Sequence, residues 1–213
     1  MTGRNTHSAA AVRGEPVRQR VIDAAERLLR QDKADFSMRD LAAEAGVSFA
    51  TPFNQFGSKA AIMQALSARR IEAMEVRFVQ AAPSGDALDR VRLAIDTAAA
   101  VMLEEPVVNR AVMGSLGAPS PTPGQVWAHS KALWALALGD GDGIVAERRE
   151  QALSVLPGQL AFAFRGVLSF WTAGELPDDA LAASARDVAV ALMRGCMEPS
   201  RLPPPAQQAH IPA

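Results

Sequence analysis

Residues Phe36 to Lys59, FSMRDLAAEAGVSFATPFNQFGSK, allow few folds, because they read as two short helices joined by a glycine-containing turn. Ser37 can accept a bond from a free backbone N–H, and Asp40 three residues on supplies the acidic member of a capping box, so a helix starts there. Met38, Leu41, Ala42 and Ala45 recur at helical spacing and define its inner face. Gly46 ends it, since glycine takes the left-handed conformation without a side-chain clash, and Val47 fills the angle that follows. Ser48 is a second cap candidate, for a short helix carrying Phe49, Ala50, Thr51, Phe53 and Asn54 that Phe56-Gly57-Ser58-Lys59 closes. Helix, turn and second helix in that order form a unit that can enter the major groove of DNA.

Val21 to Lys59 as a whole resembles the DNA-binding head of the TetR family of bacterial transcriptional regulators. The resemblance rests on the helix VIDAAERLL (residues 21–29), the run LAAEAGVS (41–48), then Thr51, the aromatic Phe53, Phe56 and Ser58-Lys59. Three departures stand out. Phe53 replaces a tyrosine whose hydroxyl family members direct to a phosphate, and Pro52 replaces an aliphatic residue. The glycine common between the first two helices is absent, its place held by Gln31-Asp32-Lys33-Ala34-Asp35. Proline gives no N–H, so Pro52 is tolerable only in the first helical turn and predicts a distorted or 3₁₀-like start.

Composition fits this reading. The chain has 213 residues, 49% of them hydrophobic, enough for a sizeable core, and no stretch alternates as a strand would. The periodicity predicts an all-α protein. One cysteine, Cys196, excludes an internal disulfide and suits a reducing compartment. No window approaches the roughly 20 apolar residues of a membrane span, and Met1–Glu15 lacks the apolar stretch of a secretory signal, so a soluble, cytoplasmic protein is expected. The net charge of −1 divides unevenly: residues 1–80 carry +3 and residues 81–213 carry −4. That is the sign expected of a DNA-binding head on an acidic body.

The expected organisation is a disordered arm over residues 1–15, a helix-turn-helix DNA-binding domain over 16–60, a helical ligand-binding and dimerisation domain over 61–198, and a disordered tail over 199–213. Helix 1 is expected from Val17 to Arg30, with Val21, Ile22, Ala25, Leu28 and Leu29 inward. A long connecting helix runs from the cap Ser58 to about Ala81, and Asp86 caps the next, through Leu103. Pro106 restarts the chain, Gly114–Gly124 reads as a loop, and Gln125–Leu138 as a further helix. The run GDGDG at 139–143 looks like the start of a calcium loop, but Ile144 and Gln151 occupy positions where ligands are needed, so it reads as a solvated turn. Two amphipathic helices end the body as an antiparallel pair, with Pro157 either starting or kinking the first.

For DNA, Arg39 and Lys59 are candidate phosphate contacts. Ser37, Ser48, Thr51 and Asn54 are candidate polar contacts to phosphate or base edges, and Phe49, Ala50 and Phe53 offer apolar contact, for example to a thymine methyl. In the body, Met102, Met113, Trp127, Trp134, Phe162 and Phe170 exceed what simple helix seams require and suggest a pocket, with Arg110, His129 and Arg165 as polar anchors. The resemblance implies that the last two helices pair with a second copy. Leu160, Phe164, Val167, Leu168 and Trp171 form one face, and Leu181, Ala185, Val188 and Leu192 the other.

No nucleophile signature, His/Cys metal spacing or phosphate-cradling loop is present, so neither enzyme activity nor a cofactor is expected. The expected function is a homodimeric DNA-binding regulator of a palindromic operator, a repressor released by a small apolar or aromatic effector. A ligand-independent regulator with a filled body, and a helical enzyme whose head makes protein contacts, are the alternatives.

Overall fold

A computed structural model of the chain describes residues 7–117 and 124–202. Among them the structure is helical: α1 (His7–Arg30), α2 (Met38–Ala45), α3 (Ala50–Phe56), α4 (Lys59–Gln80), α5 (Ala87–Glu104), α6 (Pro106–Ser115), α7 (Val126–Leu138), α8 (Ala146–Thr172) and α9 (Leu181–Met193). The one strand-like feature described is an isolated bridge between Ile144 and Met197. The first three helices form a head, and α4 carries the chain into a helical body.

Local chemistry sets most of the boundaries. Ser37 and Asp40 close a full capping box, and Gly46 takes φ 63° at the end of α2. Asp32 does the work of the missing glycine. It takes φ 58°, while Asp32 N donates to Leu29 O and Lys33 N to Leu28 O, the double bond of a Schellman turn, which an aspartate tolerates at this position. Ser58 caps α4, Asp86 caps α5 through the N–H groups of Leu88 and Asp89, and Pro106 opens α6.

The boundaries differ from expectation in several places. α1 begins at His7 and contains Pro16, so part of the expected arm is helical. Residues 1–6 lie outside the described residues. At the other end Pro199–Arg201 forms a 3₁₀ turn, with residues 203–213 outside the description. α6 extends through Gly114 to Ser115, and the remaining loop expectation falls largely on residues 118–123, also undescribed. Pro157 lies in the middle of α8, buried with Gly158, so it does not start the helix. By length and composition α8 could cross a membrane, contrary to expectation. Leu160, Phe164, Leu168 and Trp171, buried in the body core, account for much of its apolarity.

Two apolar clusters result. The body cluster gathers α4, α5, α7, α8 and α9 around Phe78, Ile95, Trp134 and Trp171. The head cluster holds Val21, Ala25, Leu29, Phe36, Leu41, Ile62 and Leu66, and it also takes in Val108 and Val112 from α6. The head therefore has no clean boundary at residue 60, because α6 completes its core.

Beside that contact sits a polar joint. Glu26 on α1 is 6% exposed and accepts from Arg69 (2.9 Å) and from Arg70, both on α4. Arg70 also donates to Asn109 Oδ1 on α6 (2.8 Å) and to Glu105 (3.1 Å). Asn109, 1% exposed, donates in turn to the carbonyls of Met102 (2.8 Å) and Val101 (3.2 Å) at the end of α5. Arg30 pairs with Glu105, and Arg69 with Asp23. Removing one member of a buried charge pair strands the other. Glu26→Ala is expected to cost about 3 kcal/mol of stability in urea unfolding, and a loss below about 0.5 kcal/mol, the scale of an ordinary surface change, would show that the joint holds nothing together.

Candidate nucleic-acid interface and interior cavity

The second helix of the head, α3, starts on a tight turn. Thr51 N donates to Ser48 O (2.9 Å), an i to i+3 bond, and the two hydroxyls meet at 2.8 Å. Pro52 falls within the first turn and is buried, so its missing N–H is an unused one and its ring faces the head. On the outer side Phe49 is 54% exposed and Phe53 42%, their rings edge to face at 5.6 Å. Ala50 and Asn54 are exposed beside them. Phe56 lies half-buried against the head core under the Arg18 guanidinium, which is 4.1 Å from its ring centre.

The charges divide into two groups. Arg39 is exposed, 5.6 Å from the centre of the Phe49 ring, and among the described residues it forms no ion pair. Lys59 is placed differently from expectation. Its ammonium donates to the carbonyls of Ala34 (2.7 Å) and Phe36 (2.9 Å) and lies over the Phe36 ring, with burial holding its pKa down. It fastens the start of α4 to the loop before α2, and little of its hydrogen-bonding capacity is left for phosphate. The Ser37 hydroxyl proton is likewise taken, by Asp40 Oδ2 (2.7 Å), whereas Ser48 and Thr51 share one bond and keep one hydroxyl proton between them. Arg27, Arg30, Arg69 and Arg70 are all paired with carboxylates.

The body holds a partly open cavity of about 440 Å³ between α4, α6, α7 and α8. Of the expected pocket residues, Met102, Met113, Trp127, Phe162 and Arg165 line it. Trp127, half exposed, stacks on Phe162 at 6.0 Å between ring centres. The others lie elsewhere. Arg110 is held by Asp178 (2.5 Å) and lies over Trp171, a tertiary pairing that no local pattern announces. Trp134 is fully buried in the core against Phe164, His129 is half-buried on α7 away from the lining, and Phe170 points outward from α8, 58% exposed. Sequence reasoning missed the α4 wall, where Gln64, Ser67 and Arg70 lie along the same side as Ile71 and Met74. Polar residues at successive threes beside an apolar stripe were the available signal.

The faces expected to meet a second copy are also corrected. Leu160, Phe164, Val167, Leu168, Trp171, Leu181 and Ala185 are each at most 9% exposed and belong to this chain's own core. Val188 is exposed and Leu192 half-buried. The outer face of α8 instead presents Val155, Gln159, Ala163, Gly166 and Phe170, at helical spacing.

Residues 21–66 match the profile of the family described as bacterial regulatory proteins, tetR family. No curated protein sequence matches the chain. Among solved structures, a TetR transcriptional regulator from Rhodococcus sp. RHA1 superposes with a TM-score of 0.68 at 22% identity, covering 84% of this chain and 97% of that one. A TetR-like transcriptional regulator from the same organism gives a TM-score of 0.47 at 20% identity, covering 84% and 96%.

These placements separate two cations that the sequence treats alike. Arg39→Ala is expected to flatten the dependence of log K on log salt by about 0.9 per head in DNA-binding titrations, with stability unchanged. Lys59→Ala is expected to leave that slope nearly intact and to lower head stability by about 1–2 kcal/mol. Equal effects of the two on the slope would contradict the division.

Proposed function

We propose, on the match of residues 21–66 to the tetR-family profile and on the all-α body, that the chain is a homodimeric cytoplasmic DNA-binding repressor whose operator affinity falls when a small molecule enters the body. The observation that carries the DNA half is the exposed Phe49–Phe53 pair beside Arg39 on the outer side of a helix-turn-helix. Two adjacent large apolar side chains in water need a partner surface, and thymine methyls and sugar faces in the major groove supply one. Asn54, Ser48 and Thr51 add polar contacts on the same side.

The ligand half is supported by the cavity, which counts against a filled body. Its walls are the helices that hold the head: α4 runs directly into the helix-turn-helix, and α6 places Val108 in the head core and Met113 in the cavity lining. Arg70 lines the cavity and also binds Glu26 of α1. A molecule that displaces α4 or Arg70 thus bears on the tilt of the head. It acts by fitting one head orientation better than another, which shifts the population rather than forcing a change.

The dimer half rests on the outer face of α8 and α9, with Val155, Gly166 and Phe170 on one helix and Val188 and Leu192 on the other. A second copy seated there would present two recognition helices to one side of a duplex.

Selection of genomic fragments by the full-length protein is expected to recover a palindrome whose half-sites lie about 34–36 Å apart, or a multiple of that spacing. Recovery of single half-sites alone would count against the dimer. Phe170→Glu combined with Val188→Glu is expected to halve the mass seen in sedimentation and to weaken operator binding by at least tenfold, with helical circular dichroism retained; an unchanged mass would remove this face from the interface.

A further inference from the structure

The cavity holds one charge that no described residue balances. Arg165, on α8, has its guanidinium at the wall, where it makes two contacts, both with Met113: one to the carbonyl (3.3 Å) and one to the thioether sulfur (3.3 Å), a weak acceptor. Among the described residues it forms no ion pair, and no aspartate or glutamate lines the cavity. The second arginine at the wall, Arg70, is different, since Glu26 and Glu105 already neutralise it. The other polar groups there, Gln64, Ser67, Asn109 and Ser130, are uncharged. The rest of the lining is methionine, aliphatic and aromatic. Guanidinium stays protonated at all working pH, so an under-satisfied donor fork in an apolar cavity attracts an anion.

Resting on the reading of this cavity as the effector site, we propose that the effector is an amphipathic carboxylate, its carboxylate paired with Arg165 and its apolar body, aryl or acyl, packed against Met74, Met102, Trp127 and Phe162. Carboxylate oxygens match the planar fork of arginine, and such charge-assisted pairs are shorter and stronger than neutral hydrogen bonds. Burial, which lowers the pKa of Arg165, is the cost that an incoming anion relieves. Such a ligand lies between α8 and the α4 wall, and so presses on the helix that enters the head.

Two kinds of probe test this on the full-length protein. The neutral dye N-phenyl-1-naphthylamine reports occupancy of the cavity by its fluorescence. Octanoate and 4-phenylbutyrate then compete with it, each set against its own primary amide. The expected result is displacement by one or both carboxylates at concentrations about 10- to 100-fold lower than by the matching amide. Octanoate and 4-phenylbutyrate between them distinguish an acyl from an aryl body. Arg165→Gln is expected to keep dye binding, which shows an intact cavity, and to abolish the preference, while Arg165→Lys keeps part of it. Dye that binds but is displaced equally by acids and amides, or a preference that survives Arg165→Gln, overturns the anion assignment alone. A protein that takes up neither dye nor carboxylate overturns the effector-cavity reading, and this inference with it.

Discussion

Glu26 is the point on which the arrangement of this protein depends. A carboxylate placed inside a helical junction loses its hydration and is tolerable only where cations replace water. Arg69 and Arg70 are those cations, and both lie on the connecting helix. Asn109 extends the set to α6 and, through the carbonyls of Val101 and Met102, to the end of α5. Four helices are thus held in register around one buried charge. Because charge-assisted bonds are directional, the joint permits a small set of head orientations, where an apolar seam alone would slide more freely.

That joint also connects the cavity with the helix-turn-helix, although the two lie in different parts of the chain. The two share walls. α4 gives one side to the cavity and its first turn to the head, and α6 inserts between the two apolar clusters. Arg70, Val112 and Leu116 belong both to the cavity lining and to the contacts that hold the head. Other ion pairs, among them Arg77 with Glu104 and Arg110 with Asp178, brace the body that those walls belong to.

Features encoded over a few residues were legible in the sequence. The Ser37–Asp40 box, Gly46, the Ser58 and Asp86 caps and Pro106 each act within one helical turn, and the structure has all of them where the pattern places them. The start of α3 as a tight turn also followed from Pro52. What the sequence did not disclose is nonlocal. α8 is apolar on both sides, with Leu160, Phe164 and Val167 inside and Val155, Phe162 and Phe170 outside, so periodicity alone does not decide which side is the core. Arg110 and Arg165 look equivalent until folding brings Asp178 to the first and, among the described residues, no acid to the second. Lys59 looked like a surface cation, and the loop carbonyls that claim it lie some two dozen residues away in the chain.

The exposed aromatic pair on α3 has a thermodynamic consequence. On the helices of the head Arg27 and Arg30 are already paired with carboxylates of the same chain, which leaves Arg18, Arg20 and Arg39, among the described residues, to exchange with the counterions of a duplex. On the proposed reading, a complex would also take apolar area at Phe49 and Phe53 out of water, and burial of that kind lowers heat capacity. Recognition through that pair would therefore have an enthalpy that grows more favourable on warming, and an affinity that passes through an optimum in temperature instead of simply fading as the solution is heated.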